Sequence, residues 1–166
     1  MSTEFIGLLA NLALTLSLIV GIIFGIAQVR AAQRDRHERL TLEALRSFQS
    51  REFAEQINFI STVTFPETYE KYQSWPKQEQ VQFIQMAQQM ESLGISLADN
   101  LIDIDLVEKT LGSFVTSTWL KYKPLILKMR EKNSDPFLAE YFQWMAEQID
   151  KRMKEKPRTP FYLSKK

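Results

Sequence analysis

The stretch FIGLLANLALTLSLIVGIIFGIAQV, residues 5–29, decides the fold. It holds no charged residue; its polar members are Asn11, Thr15, Ser17 and, at the boundary, Gln28. A helix of these 25 residues rises roughly 37 Å, more than the ~30 Å hydrocarbon core of a bilayer. Both flanks are charged, with Glu4 before and Arg30, Arg34, Arg36 and Arg39 after. The pattern predicts one transmembrane helix with nearly all of the remaining chain on one side. A signal peptide is the competing reading. It needs a basic n-region and an apolar core of about 7–15 residues. Met-Ser-Thr-Glu carries no Lys or Arg and the apolar run is longer than that, although Gly25 to Ala27 mimics a cleavage site. A buried core helix of this length without charge would be unusual.

Orientation follows from the basic residues near the helix ends. The arginines lie on the C-terminal side, which predicts a short N-terminus outside and a cytoplasmic domain. In a bacterium this means the inner (plasma) membrane. Absence of cysteine agrees with a compartment where no disulfide is needed. Arg30, Arg34, Arg36 and Arg39 are expected to contact anionic headgroups at the membrane surface. Within the apolar run, Ser17, Gly21 and Gly25 recur every four residues, and Gly21-Ile-Ile-Phe-Gly25 is a GxxxG motif. Glycines at that spacing let a second backbone approach closely, and Asn11 can hydrogen-bond across such an interface. The expected partners are membrane lipid and, through this helix, another membrane protein or a second copy. Gly is also common in transmembrane helices that pair with nothing.

From Gln28 to about Phe48 there is no Gly or Pro, so the helix is expected to run on as a basic stalk that turns amphipathic at Leu40, Leu42, Ala44, Leu45 and Phe48. His37 on this stalk reads as solvated. Ser50 is the expected N-cap of the next helix, with Phe53, Ala54, Ile57 and Ile60 as its apolar stripe. Thr62-Val63-Thr64 ends it. Thr64-Phe65-Pro66-Glu67 has capping-box spacing and predicts a short helix to about Gln73. Ser74-Trp75-Pro76 starts another, whose stripe of Val81, Ile84, Met86, Ala87, Met90 and Leu93 runs to Gly94 as the expected C-cap. A turn near Asp103 and a short helix to Gly112 are expected next. A longer helix then carries Phe114, Trp119, Leu120, Ile126, Leu127 and Met129, bent at Pro124. Asn133-Ser134-Asp135-Pro136 is a stop signal, and the last helix carries Phe137, Leu138, Tyr141, Phe142, Trp144, Met145 and Ile149.

No segment alternates with period two, so no sheet is expected. The fold class is all-α: one N-terminal transmembrane helix continuing into a stalk and a compact cytoplasmic helical bundle. The expected divisions are a short N-terminus (1–4), a transmembrane helix (5–29), a basic helical stalk (30–49), a helical domain (50–156) and a basic tail (157–166).

Chemistry is thin. Asp99, Asp103 and Asp105, with Glu91 and Glu108 nearby, are the densest acidic cluster. Carboxylates on a shared helix face can bind Mg²⁺ or Ca²⁺, but no EF-hand loop is present, and capping of helix ends is the plainer reading. One histidine and no cysteine disfavour zinc. A triad would have to use His37, beside the bilayer, and there is no Walker A or dinucleotide fingerprint. No cofactor, metal or catalytic residue is assigned. The formal charge of +1 gives no argument for nucleic acid. Acids predominate from Glu52 to Glu108 and bases from Lys109 to Lys132 and again through the tail, which fits pairing between helices or contact of the tail with anionic lipid or an acidic partner. Trp119, Tyr122, Phe142 and Trp144 are either core or a ligand- or partner-binding surface.

Several residues carry a resemblance. They are Leu42-Glu-Ala-Leu-Arg46, Arg51-Glu-Phe53, Glu91-Ser-Leu-Gly94, Leu101-Ile-Asp103, Val107, Gly112, Trp119, Pro124, Arg130, Asp135-Pro136 and Phe142-Gln-Trp-Met-Ala146. Together they resemble an uncharacterised bacterial domain family, a domain of unknown function, whose members carry one N-terminal membrane helix and a cytoplasmic helical domain. The resemblance implies fold and topology and transfers no activity. Trp119 is expected to fill the core and Arg130 to tie helices together. The functional expectation is a non-enzymatic adaptor or accessory subunit of a membrane complex; the alternative is a lipid- or small-ligand-sensing helical module.

Overall fold

The computed structural model describes residues 3–164. Of the expected N-terminus and basic tail, residues 1–2 and 165–166 lie outside them. Among the described residues the chain is all-helical, with seven helices and no strand: α1 (Thr3–Ser47), α2 (Arg51–Thr62), α3 (Tyr69–Gln73), α4 (Lys77–Ala98), α5 (Ile104–Asn133), α6 (Glu140–Glu155) and α7 (Phe161–Ser164). The chain divides into two units, residues 1–39 and 40–166.

The first unit is the greater part of α1. Its side chains from Phe5 to Val29 are exposed all round, and its most apolar window has a mean hydropathy of 2.4 with none of it buried. Such a helix is long and apolar enough to cross a bilayer; a signal sequence has the same character. Its one apolar-region hydroxyl bond turns inward, Thr15 Oγ1 donating to the Asn11 carbonyl at 2.8 Å.

In the second unit the last turns of α1 bury Thr41 and Leu45. Thr41 Oγ1 accepts the Asp103 N–H at 2.9 Å, where α5 begins. Ser50 caps α2, its hydroxyl accepting the Phe53 N–H at 3.1 Å. At the other end of α2 the Lys121 ammonium donates to the Ile60 carbonyl at 2.7 Å, supplying a cation where helix carbonyls lack partners. Helix α6 packs along both α4 and α5, and smaller contacts join α3 to α5 and α2 to α4. The core is rich in aromatic rings. Phe83 stacks on Tyr122 at 4.3 Å, Phe65 lies 5.0 Å from Tyr122, and Phe142 meets Trp119 edge-on at 5.1 Å.

Four expectations change. The capping box at Thr64 does not form: Thr68 caps α3, accepting the Lys71 N–H at 3.3 Å. Pro66 biases Phe65 toward extended backbone, and the intervening loop instead carries Phe65 into the aromatic core. Gly94 is not a C-cap. Helix α4 runs on to Ala98, and Asn100, at φ 53°, supplies the left-handed stop, with the Leu101 N–H on the Ser96 carbonyl at 2.9 Å. The break expected at Gly112 is absent: α5 is continuous from Ile104 to Asn133, and Gly112 is buried against Ile149 and Met153 of α6. Finally, Phe137 and Leu138 precede the last helix, because Ala139, at φ 57°, turns the chain into α6 at Glu140.

Candidate functional site

The carboxylates of the acidic cluster are largely committed to holding the domain together. Glu91 sits on α4, one helical turn before Gly94. Its Oε1 and Oε2 accept the N–H groups of Tyr141 and Phe142, at 3.2 and 2.7 Å. These are among the orphan donors in the first turn of α6, whose N-cap, Ala139, has no side chain to offer. Gly94 allows the approach: a Cβ there would lie 2.4 Å from the Tyr141 carbonyl oxygen. Arg130 of α5 holds the carbonyls of the same turn. Its Nε donates to Leu138 O at 2.8 Å, Nη2 to Ala139 O at 3.3 Å, and Nη1 to Gln143 Oε1 at 2.7 Å. The start of α6 is thus clasped by an anion on its N–H groups and a cation on the preceding carbonyls, as opposite polarity at a helix start requires.

Asp103 caps α5, accepting the N–H groups of Asp105 and Leu106 at 2.7 and 3.2 Å. Asp105 and Glu108 both pair with Arg152 of α6, Glu108 Oε2 accepting from Arg152 Nε at 2.8 Å. The hydrogen bond to Glu108 and the nearby carboxylates push Arg152 further above its ordinary range. Asp99, the C-cap of α4, is exposed. Asp99 and Asp103 do not share a helix face, because α4 ends at Ala98 and α5 begins only at Ile104.

The four aromatic candidates do not form one surface. Tyr122 and Phe142 have no exposed area and Trp119 is 4% exposed, so these three are core, while Trp144 is exposed on α6. Ring-on-ring packing, which no spacing rule reveals, draws them inward. Trp119 nevertheless forms the floor of a groove of about 220 Å³ between α5 and α6, walled by Leu120, Lys123, Ala146, Glu147 and Asp150. Leu120 stands well exposed at its rim. Burial pushes the Tyr122 phenol far above its ordinary range, with a smaller contribution from Tyr72, and its hydroxyl has no hydrogen-bond partner among the described residues.

In the first unit, Asn11, Ser17, Gly21 and Gly25 are exposed, and a Cβ added at Gly21 or Gly25 would meet nothing within 4 Å. Ser17, Gly21 and Gly25 follow one face, with Asn11 about 80° round from Gly21 at ~100° per residue. Arg30, Arg36 and Arg39 are exposed, and Arg34 pairs with Glu38 at 3.0 Å.

Sequence reasoning missed the clasp as a unit. The sequence marks Glu91, Gly94 and Arg130 separately, but all their targets except the Gln143 side chain are backbone groups, about 50 and 8 residues away, which no side-chain pattern marks. No curated protein and no solved structure matches the chain. Residues 15–149, which include the clasp and most of the domain, match the family described as a domain of unknown function, DUF4760, and the chain belongs to that family.

Proposed function

We propose that this protein is a non-enzymatic, single-pass membrane protein acting as an adaptor or accessory subunit of a membrane-associated complex. In this reading α1 spans a bacterial inner membrane through residues 5–29, with its N-terminus outside and the domain cytoplasmic. Arg30, Arg34, Arg36 and Arg39, all following the apolar run, support that orientation. The observation that carries the proposal is how the polar groups are used. Glu91, Asp103, Glu108, Arg130 and Arg152 are spent on capping and joining helices. The Ser17, Gly21 and Gly25 face of α1 remains open to a second helix.

The test is mild-detergent purification of the full chain from its native membrane, followed by native mass determination. A stoichiometric partner or a defined homo-oligomer is expected, and Gly21→Leu combined with Gly25→Leu releases it. A lone monomer, unchanged by that double substitution, overturns the proposal.

The α5–α6 groove favours a second reading, a lipid- or small-ligand-sensing module. Its volume of about 220 Å³ lies below the ~300 Å³ usual for small-molecule sites, so the adaptor reading is preferred. A saturable ligand-induced rise in domain melting temperature, abolished by Leu120→Glu, would reverse that preference.

A further inference from the structure

Residues 156–166 read KPRTPFYLSKK, with no Asp or Glu and with Lys156, Arg158, Lys165 and Lys166 as four bases. The bases of α6 are different, since Lys151 pairs with Glu155, Lys154 with Asp150, and Arg152 with Asp105 and Glu108. Among the described residues, Lys156 and Arg158 form no ion pair. Helix α6 stops at Glu155, before Pro157, and the short α7 then presents three consecutive large apolar side chains to solvent: Phe161 73%, Tyr162 81% and Leu163 60% exposed.

We infer that residues 156–166 dock on an anionic lipid surface, the bilayer in which the same chain is anchored. The inference rests on the reading that residues 5–29 span that bilayer. The segment joins four bases, of which Lys156 and Arg158 form no ion pair among the described residues, to interfacial aromatics. Lysine and arginine are drawn to anionic headgroups, tyrosine places its ring in the apolar boundary with its hydroxyl at headgroup level, and phenylalanine and leucine enter more deeply. Three adjacent apolar residues on a helix point about 100° apart. They therefore make no single stripe for a protein groove, but they suit a surface into which a short turn sinks. Tethering by α1 makes the encounter intramolecular, so weak individual contacts suffice. Each base near an anionic surface strengthens docking roughly fivefold, and four together by several hundredfold.

The chain has no cysteine, so one introduced thiol gives a unique label. A nitroxide at Thr159→Cys is followed by electron paramagnetic resonance in the full-length protein. The protein is held in nanodiscs of phosphatidylcholine alone or with one-third phosphatidylglycerol. A second sample carries the label at Ile19→Cys as a depth reference. The expected result is a Thr159 label that is slowed and shielded from a water-soluble nickel relaxant in the anionic discs only. Roughly 0.5 M salt should release it, and replacing Lys156, Arg158, Lys165 and Lys166 by Gln should lower the docked population more than about tenfold. A Thr159 label equally open to nickel in both lipids, with the Ile19 label deep, overturns the docking while the span stands. An Ile19 label open to nickel overturns the span and the docking together. A Thr159 label shielded equally in both lipids and not released by salt shows that anionic headgroups do not hold the segment and also overturns the inference.

Discussion

Gly21 and Gly94 are both glycines inside long helices, and their surroundings are opposite. Around Gly21 a Cβ would meet nothing within 4 Å; at Gly94 it would fall 2.4 Å from the Tyr141 carbonyl oxygen and 2.6 Å from its carbon. The same contrast runs through the two units. The apolar part of α1 exposes its side chains in every direction, whereas the domain brings α4 and α6 together until one side chain has to be missing. Hydrogen at the side-chain position costs about 1 kcal/mol of helix stability relative to alanine. At Gly94 that cost is offset by helix packing inside one chain. At Gly21 no contact among the described residues offsets it.

The largest effect should come from breaking this contrast at Gly94. Gly94→Ala pushes backbone against backbone, which cannot rotate away, so the propensity gain is overwhelmed. A loss of about 3 kcal/mol is expected, or roughly 10 °C in melting temperature for a domain of this size. All three tryptophans, Trp75, Trp119 and Trp144, lie in the domain, so tryptophan fluorescence follows its unfolding without interference from α1. Gly21→Ala should leave that transition in place to within about 0.5 kcal/mol. Equal melting of Gly94→Ala and the unsubstituted chain would mean that α4 and α6 do not approach as described.

The two units were also unequally legible. An uncharged run of this length allows few structures, so α1 could be read directly. The Ser50 cap and the stop at 133–136 were likewise visible, because caps and left-handed stops draw on few residue types. Ser134, at φ 52°, ends α5 where that signal stands. The clasp was not visible. Gly94 looked like a helix end because glycine usually marks one, but Asn100 performs that role, and only the fold shows that Tyr141 comes against Gly94. Glu91 looked like one member of an acidic cluster because its partners, two backbone N–H groups on α6, are the same in every sequence. Tyr122 and Phe142 looked equally suited to core and surface, and ring packing with Phe83 and Trp119 decides for the core.

Removal of a carboxylate sharpens the comparison with a smaller effect. Glu91→Ala leaves the Tyr141 and Phe142 N–H groups without their acceptor in a partly buried place, and about 2 kcal/mol of domain stability should be lost. Glu38 is its counterpart on α1. It also accepts a hydrogen bond, from Arg34 at 3.0 Å, but both side chains are well exposed, and Glu38→Ala should cost less than about 0.5 kcal/mol. Denaturant midpoints of the two variants, read from helix content by far-ultraviolet circular dichroism together with tryptophan fluorescence, test the pair. Comparable losses would show that Glu91 is no more than another surface carboxylate.

The smallest effect has the opposite sign. Thr15, in the apolar run, satisfies its hydroxyl at 2.8 Å on the Asn11 carbonyl, whereas the Tyr122 hydroxyl in the domain core has no partner among the described residues. A buried hydroxyl without a hydrogen bond costs about 1 kcal/mol or more, so Tyr122→Phe should stabilise the domain by about 1 kcal/mol. Alkali makes the test stricter. Burial, and secondarily Tyr72, raises the Tyr122 phenol above its ordinary value. In the unfolded chain a tyrosine ionises near pH ~10. Below that value both states keep the proton and the stability is fully present. Above it the unfolded state releases a proton that the folded state retains, and stability falls by up to about 1.4 kcal/mol per pH unit. Tyr122→Phe removes this proton from the balance, so its advantage should be constant to about pH 9 and widen above about pH 10. Denaturant midpoints across that range measure the difference. A destabilised Tyr122→Phe, or an advantage that narrows in alkali, would mean that the hydroxyl is bonded in the folded protein and that the core is as well satisfied as the apolar helix.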